Sequence, residues 1–313
     1  MAYKSYAKRR PTRRSSTKKR PSGRRRSYAK KRSTFRSKKM STKRILNLTA
    51  QKKRDTMLCW TNSTGSTQAG GSTYSTNAAV INGGVNDLDA CTYLWCATNR
   101  DNTQGNGGGV GNKFNVSTRT SSSPYMVGLS EKIEIQCNTG MPWQWRRICF
   151  TMKGPSLLPT STASGQTFSD AAELSTGWAR MMNQSTGSPT SLPKSGLTSI
   201  LFKGTVNSDW LDPMTAPTDN SRVSIKYDKV VTLASGNEDG FIRTYKRWHP
   251  MRKTLYYNDS ESGGAEVAAG RSVLGKQGMG DYYVVDLFRA RQGSASTDQL
   301  TVRPEATLYW HEK

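Results

Sequence analysis

Short apolar stretches recur along most of the chain and are separated by segments rich in Gly, Asn and Ser. The clearest alternation lies in residues 125–138, where Ile133, Ile135 and Cys137 alternate with polar residues. A period of two predicts a strand with one buried face and one solvated face. Most of the chain is therefore predicted to be β-structure.

The pattern predicts eight main strands and a short terminal strand. The main strands are predicted at 54–62, 88–98, 125–138, 143–153, 198–207, 222–233, 240–259 and 279–291, and the terminal strand at 306–311. Residues 169–183 are predicted to form a short helix, which Gly177 interrupts. The chain lacks the repeated alternation of helices and strands that is typical of a parallel α/β sheet.

This pattern favours an all-β fold, a single eight-stranded antiparallel jelly-roll sandwich. Its connections are uneven, with long loops predicted at 99–123 and 154–196. A β-sandwich of another topology is the alternative.

Positive charge is concentrated at the N-terminus. The chain has 47 Lys and Arg against 22 Asp and Glu, a formal net charge of +25. Residues 1–54 hold 23 of the bases and no acid, which leaves 24 bases and 22 acids for residues 55–313. We therefore predict a disordered basic arm over 1–54 and a folded domain over 55–313. An acidic polymer is the expected partner of the arm.

The arm repeats one phrase, as KSYAKRR at residues 4–10 and RSYAKKR at residues 26–32. We interpret the two heptads as stretches of one polycation that serves DNA binding and nuclear import. Tyr3, Tyr6 and Tyr28 either stack on unpaired bases or are merely tolerated in a disordered tail, and both interpretations stay open. The residues assigned to DNA binding and nuclear import are Lys8, Arg9, Arg10, Arg13, Arg14, Lys18, Lys19, Arg20, Arg24, Arg25, Arg26, Lys30, Lys31 and Arg32.

The start of the chain lacks the apolar segment of a secretory signal peptide. Pro11, Pro21 and Gly23 argue against the amphipathic helix of a mitochondrial transit peptide. No apolar run approaches the length of a membrane span. The five cysteines (59, 91, 96, 137 and 149) are accordingly expected to be reduced and buried, and the N-x-[ST] sites to be unglycosylated.

A second basic and aromatic stretch, RTYKRWHPMRK, covers residues 243–253. In an extended strand Arg243, Tyr245 and Arg247 share one face, and Lys246 and Trp248 share the other. Such a sheet surface is a candidate for tracking a nucleic-acid backbone. The candidate DNA-facing residues are Arg243, Lys246, Arg247, Arg252 and Lys253. The alternative is an ordinary amphipathic strand with Trp248 in the core and a solvated basic face. For residues 143–147 (WQWRR) a core or subunit-interface position is expected.

Motifs for catalysis are incomplete in this sequence. Residues 270–276 (GRSVLGK) have the spacing of a phosphate-binding loop, but Gln277 stands where a hydroxyl would hold magnesium. Gly278 and Gly280 prevent the helix that would cradle the phosphates. We therefore expect a flexible loop there.

Metal and acid–base sites are also poorly supported. Cys91 and Cys96 lack the paired spacing of a zinc site, and His249 and His311 are the only imidazoles. Acidic pairs at 87/89, 238/239 and 259/261 lie in turn-like stretches. We predict no enzyme activity, metal or cofactor, and a metal-dependent nuclease built on these pairs is the weakest of three hypotheses.

Five stretches spread over the body resemble the capsid protein of the genomoviruses (gemycircularvirus-like), small viruses with circular single-stranded DNA. They are KRDTMLCW (53–60), YMVGL (125–129), PWQWRRICF (142–150), YKRWHPM (245–251) and LYWHEK (308–313). The resemblance implies a single jelly roll, assembly into a small icosahedral shell, entry into the host nucleus and no enzymatic residues. On this view geminivirus coat proteins are more distant relatives.

The expected function is therefore a structural capsid protein that packages circular single-stranded DNA through its basic arm. The expected partners are further copies of the chain, single-stranded DNA and host nuclear import receptors, with no membrane, and the expected locations are the virion and the host nucleus. A shell of about 60 copies, the smallest icosahedral number, would carry about 1,400 positive charges on its arms, enough for on the order of a thousand phosphates. The alternative is a monomeric nucleic-acid-binding or nuclear shuttle protein with a β-sandwich domain.

Overall fold

The computed structural model describes residues 40–65, 68, 70–84, 90–105, 108–154, 157, 171–175, 177–185 and 194–313. Within these ranges the chain is mostly β, with two short helices. The elements are α1 (Thr42–Thr49), β1 (Gln51–Met57), β2 (Cys59–Thr61), β3 (Ala79–Asn82), β4 (Cys91–Cys96), β5 (Tyr125–Cys137), β6 (Trp143–Met152), β7 (Ala172–Leu174), β8 (Gly177–Ser185), α2 (Lys194–Leu201), β9 (Ser224–Leu233), β10 (Phe241–Thr254), β11 (Ser260–Ser262), β12 (Ala265–Val267), β13 (Asp281–Ala290) and β14 (Gln299–Glu312).

Two sheets contain nearly all of these strands. The first sheet has the order β1-β14-β5-β10, with β3 also paired to β14. The second sheet has the order β2-β8-β4-β13-β6-β9, with β7 paired to β8. The pairings are antiparallel except that of β2 with β8. Strands β11 and β12 form a separate hairpin.

The inner faces of the two sheets enclose most of the core. One apolar cluster contains Trp95, Leu129 and Trp310, and a second contains Ile135 and Trp145. The predicted alternation of β5 is confirmed, because its apolar positions are buried and the intervening ones are exposed or half-buried. The expectation that residues 143 and 145 lie in the core is also confirmed, since both tryptophans are 1% exposed.

The other face of the second sheet is covered as well. Leu94, Phe150 and Leu287 point away from the first sheet and pack against a layer that includes Leu197 of α2 and Trp210. Strands β4, β6 and β13 are therefore buried on both faces, which explains their nearly continuous apolar sequences. The first sheet has no such layer among the described residues, and its outer face carries exposed polar and aromatic side chains.

The predicted antiparallel β-sandwich is confirmed, but the strand count differs from the sequence prediction, because the described residues form 14 strands. The predicted strand at 54–62 is two strands in different sheets, which meet at Leu58. The predicted strand at 198–207 is wrong, because α2 buries Leu197 and Leu201 against the second sheet. The predicted helix at 169–183 is also wrong, because pairing with β4 places residues 177–185 in the sheet.

The predicted boundary between Arg54 and Asp55 falls inside β1, so the folded domain begins earlier than the sequence indicates. Residues 51–54 pair with the last strand, β14. Lys53 is buried, and its Nζ lies 3.1 Å from a carboxylate oxygen of Glu312. The apparent end of the basic arm thus contributes a core cation. Among the described residues no helix is long and apolar enough to cross a membrane.

Candidate nucleic-acid interface

The arm residues assigned to DNA binding and import, from Lys8 to Arg32, lie outside the described residues. The structure does show where the arm joins the domain. Ser41 caps α1 by accepting a hydrogen bond of 3.3 Å from the backbone N–H of Arg44. Because β1 follows α1 directly, α1 precedes an edge strand of the first sheet.

Strand β10, which carries the second basic stretch, forms the opposite edge of the first sheet. Lys246 and Trp248 point to the outer face of this sheet and are exposed. The alternative that placed Trp248 in the core is wrong, because this side chain is 49% exposed. Arg243 is also exposed, and its guanidinium carbon lies 4.9 Å from the centre of the Phe241 ring.

Arg247 faces the opposite way from Lys246. Its guanidinium carbon lies 5.8 Å from the centre of the Trp145 ring and 5.6 Å from that of Tyr245. Its Nε is buried without a hydrogen-bond acceptor. Arg247 therefore packs on the core aromatics at the sandwich edge and does not extend the surface of Lys246.

Arg252 and Lys253 lie at an irregularity in β10. The register with β5 shifts between Pro250 and Lys253, and Arg252 adopts a positive φ of 51°. Lys226 lies on β9, an edge strand of the second sheet. Burial lowers the pKa of Lys226, and the positive charge of nearby Lys253 lowers it further. The five predicted patch residues are thus divided between two sheet faces and the sandwich edge.

The structure adds cations from other strands to the outer face of the first sheet. Lys132 of β5 stands directly opposite Lys246 of β10, and on its other side it faces Glu305 of β14. On β1, Lys52 and Arg54 are both exposed on the same face. The ion pairs of the described chain leave Lys52, Arg54 and Lys246 unmatched.

The sequence alone does not show that β1, β5 and β10 contribute cations to one face of the same sheet. The outward position of residue 132 follows from the alternation of β5, but its neighbours in the sheet depend on long-range pairing. A directly opposed pair of lysines is destabilising in a sheet. Such a pair on a face with net positive charge is suited to an anionic ligand.

A second charged cluster, which was not predicted from the sequence, lies between the sheets. At its centre Arg147 of β6 donates two hydrogen bonds of 2.7 Å to the carboxylate of Asp286 on β13. Arg147 and Arg180 both also donate to Glu131 of β5. Trp145 Nε1 donates a further bond of 2.7 Å to Asp286. Two carboxylates therefore balance two guanidinium groups in the core.

The signal for this cluster is present in the sequence. Glu131, Arg147 and Asp286 each occupy an inward position between apolar residues of the same strand. Burial alone would raise the pKa of Glu131, but the charges of Arg147 and Arg180 outweigh it and hold that pKa well below its usual range. The carboxylate is therefore ionised in the folded protein.

Cys149, His249 and Glu131 resemble a catalytic triad in their connections. The imidazole Nε2 lies 2.9 Å from Glu131 Oε2, and Nδ1 lies 3.8 Å from Cys149 Sγ. However, Cys149 is 0% exposed, His249 is 3% exposed and Glu131 is 2% exposed. Burial raises the pKa of the Cys149 thiol, which opposes formation of a nucleophilic thiolate. This arrangement is a core contact and offers no entry for a substrate.

The acidic pairs do not come together in the described structure. Asp87 and Asp89 lie outside it, Glu238 and Asp239 lie in an exposed turn, and Asp259 accepts hydrogen bonds of 2.7 and 3.0 Å from Arg119. Among the described residues no group of three or more His, Cys, Asp or Glu side chains could hold a metal ion. The segment 270–276 is irregular, and no helix follows it.

The expected burial of the cysteines is confirmed for four of the five. Four are buried, Cys59 is half-buried, and none forms a disulfide. Comparison with protein-family models finds none that matches this chain, and comparison with curated proteins finds none that is significantly similar in sequence.

Proposed function

We propose that this chain is a structural capsid protein with a jelly-roll domain, and that its copies assemble into a closed shell around single-stranded DNA. Strand pairing is the observation that carries the proposal. If β1, β4, β5, β6, β9, β10, β13 and β14 are numbered 1 to 8 in chain order, the first sheet has the order 1-8-3-6 and the second contains 2-7-4-5.

In this numbering the first strand pairs with the eighth, the second with the seventh, the third with the sixth and the fourth with the fifth, all antiparallel. A long antiparallel hairpin that is rolled into two sheets has these pairings, and that wrapping defines a jelly roll. The remaining strands extend the sheet edges or form a separate hairpin. This arrangement supports the jelly roll over another β-sandwich topology.

Exposed edges and apolar side chains support assembly with further copies. Strands β9 and β10 are the last strands of their sheets, and each pairs with a single neighbour among the described strands. Long unpaired edge strands invite association with other chains. Val230 on β9 is 42% exposed and Leu48 on α1 is 74% exposed. In a shell, neighbouring subunits would cover such surfaces.

Charge distribution supports nucleic acid as the cargo. Residues 1–39 alone contain 18 Lys and Arg and no acid. The arm joins the domain at the β1 edge of the same sheet whose outer face carries the unmatched cations. Because these groups contact phosphates, binding is expected to depend strongly on salt and weakly on sequence.

The sequence resemblance to genomovirus capsid proteins points to the same function and adds circular single-stranded DNA as the genome. It also supports entry into the host nucleus through import receptors that bind the arm. A fusion of residues 1–39 to a fluorescent protein is expected to accumulate in nuclei. A fusion that stays cytoplasmic would contradict the import role and leave the assembly proposal intact.

The packaging role is tested by replacing the 18 Lys and Arg of residues 1–39 with Gln, which keeps the length of the arm. We expect this variant to fold and to form shells that contain little nuclease-protected DNA. Wild-type protein purified in parallel is the control. Shells of the neutral-arm variant that protect a full load of DNA would contradict the role of the arm. A monomer that binds DNA in both forms would support the nucleic-acid-binding or shuttle alternative.

A further inference from the structure

Four aromatic rings lie together on the outer face of the first sheet. Trp248 of β10 and Tyr309 of β14 have ring centroids 5.8 Å apart, with planes tilted by 58°. Tyr125 of β5 and His311 of β14 have centroids 6.3 Å apart, with planes tilted by 33°. Trp248 and Tyr125 are 49% and 41% exposed. The four rings therefore present aromatic surface to solvent from three strands.

A glycine beneath the tryptophan makes this arrangement sterically feasible. Gly128 of β5 stands between β10 and Tyr309, its partner on β14. A Cβ at Gly128 would lie 2.7 Å from Trp248 Cζ2, so the indole occupies the space that any side chain there would fill. The indole thus reaches across β5 to Tyr309 and lies along the sheet surface.

Cations border the rings on both sides. Arg54 of β1 stands opposite Tyr309, and Lys52 stands opposite His311. On the other side Lys246 precedes Trp248 by two residues on the same face and opposes Lys132. Glu305 and Glu134 are the acids on the face, and they stand opposite Lys132 and Arg303. The cations nearest the rings are therefore available to an anion.

His311 contributes to this surface as an aromatic ring and not as a positive charge. Burial, followed by the positive charge of Lys52, lowers the pKa of His311. The imidazole is accordingly neutral at physiological pH and can stack like the neighbouring tyrosine.

We propose that this face binds the unpaired bases of single-stranded DNA, with bases stacked on Trp248 and Tyr309 and phosphates held by Lys246, Arg54 and Lys52. Aromatic platforms bordered by cations bind single strands in this way, because every base offers a π-face and every nucleotide a phosphate. The proposal deepens the packaging function and rests on it for the source of the DNA. It adds a preference for single strands that the Lys and Arg side chains of the arm alone do not supply, since these bind the phosphates of either form and only unpaired bases are free to stack.

A second copy of the chain is the other candidate occupant of this face. The charges disfavour it, because Lys132 and Lys246 already repel each other across β5 and β10, and a matching positive face would add to that repulsion. A polyanion instead relieves the repulsion.

The test compares the full-length protein with Trp248→Ala, Trp248→Phe and, as the matched control, Ile242→Ala. Ile242 lies on the same strand, is 70% exposed and stands six residues before Trp248, opposite Gln136 of β5. Fluorescence anisotropy at fixed salt measures affinity for an oligothymidylate of about 20 nucleotides and for a duplex of the same length. Sedimentation of each sample records its assembly state.

Trp248→Ala is expected to lower affinity for oligothymidylate about tenfold and to leave duplex affinity unchanged. Trp248→Phe retains most of the affinity, and Ile242→Ala matches wild type. Equal affinities of all four proteins for both ligands would overturn the stacking site while leaving the packaging function intact. Altered sedimentation of Trp248→Ala with unchanged affinity would assign the face to a subunit contact and also overturn it. If wild-type protein binds neither ligand, the packaging function fails as well.

Photochemical crosslinking locates the contact independently of the variants. Oligothymidylate with 5-iodouracil, irradiated with the full-length protein, is expected to crosslink to peptides that contain Trp248 and Tyr309. Crosslinks confined to residues 1–39 would overturn the site and preserve DNA binding by the arm.

Discussion

Arg147 and Glu131 form an ion pair that joins the two sheets at the centre of the core. Arg147 lies on β6 of the second sheet and Glu131 on β5 of the first, and both are buried. The pair lies between two apolar clusters, so it fixes the position of one sheet against the other. Removing one partner of a buried pair leaves the other charge uncompensated in the core.

Glu131→Gln is therefore expected to lower the free energy of unfolding by about 3–5 kcal/mol, because Arg147 and Arg180 lose a shared carboxylate. Urea denaturation followed by fluorescence measures the change. Glu134→Gln is the matched control, since Glu134 lies on the outer face of the same strand, and its effect should stay below about 1 kcal/mol. Similar effects of the two substitutions would show that the buried network is not a main source of stability.

The same carboxylate predicts how stability changes with pH. The pKa of Glu131 is lower in the folded protein than in the unfolded chain, where it is about 4.3. Its stabilising contribution is thus complete above that value and is lost as the pH falls below it. Wild-type protein should lose stability between about pH 5 and pH 3 more steeply than Glu131→Gln. Parallel pH profiles of the two proteins would argue against this assignment.

Gly128→Ala is expected to destabilise the protein by roughly 1–3 kcal/mol and to displace the Trp248 indole. A Cβ there would lie 2.7 Å from both the indole and the backbone oxygen of His249. Thermal unfolding measures the first effect and tryptophan fluorescence the second. Gly236→Ala is the control, because a Cβ at Gly236 meets no atom within 4 Å. A stable Gly128→Ala protein with wild-type fluorescence would refute the described position of the indole.

The adjacent lysines 52 and 53 have different roles: Lys52 is a candidate phosphate-binding cation, and Lys53 stabilises the fold. Lys53→Ala should destabilise the domain by about 3 kcal/mol, because it leaves Glu312 buried without its ion pair. Lys52 is exposed, so Lys52→Ala should leave stability unchanged and lower the salt dependence of single-strand binding by about 0.7 in the log–log slope. Chemical denaturation and salt titrations of affinity check the two effects. A destabilised Lys52→Ala protein, or a stable Lys53→Ala protein with a lowered salt dependence, would contradict these roles.

Much of the fold could be predicted from the sequence, because strands β4, β5, β6, β9, β10 and β13 each lie within a range predicted from apolar patterning. The same patterning failed at α2 and β8. Leu197 and Leu201 fit a helix face as well as a strand, and the methionines of β8 favour a helix until pairing with β4 overrides that preference. Tertiary contacts decided both cases.

The candidate surface could be predicted only in part. Lys246 and Trp248 are adjacent on one strand, and their shared face follows from a period of two. Tyr309, Gly128 and Arg54 join them only through pairings between distant strands, which patterning does not specify. The strand order and register of the first sheet are needed to place these rings and cations on one surface.

Electron microscopy of nuclease-treated, full-length protein shows directly whether copies of the chain form a closed shell around DNA. The protected nucleic acid is then extracted, and its length and strandedness are measured. We expect closed isometric particles of uniform diameter that protect single-stranded DNA. Protein that remains monomeric under the same conditions, with no protected DNA, would contradict the proposed capsid function.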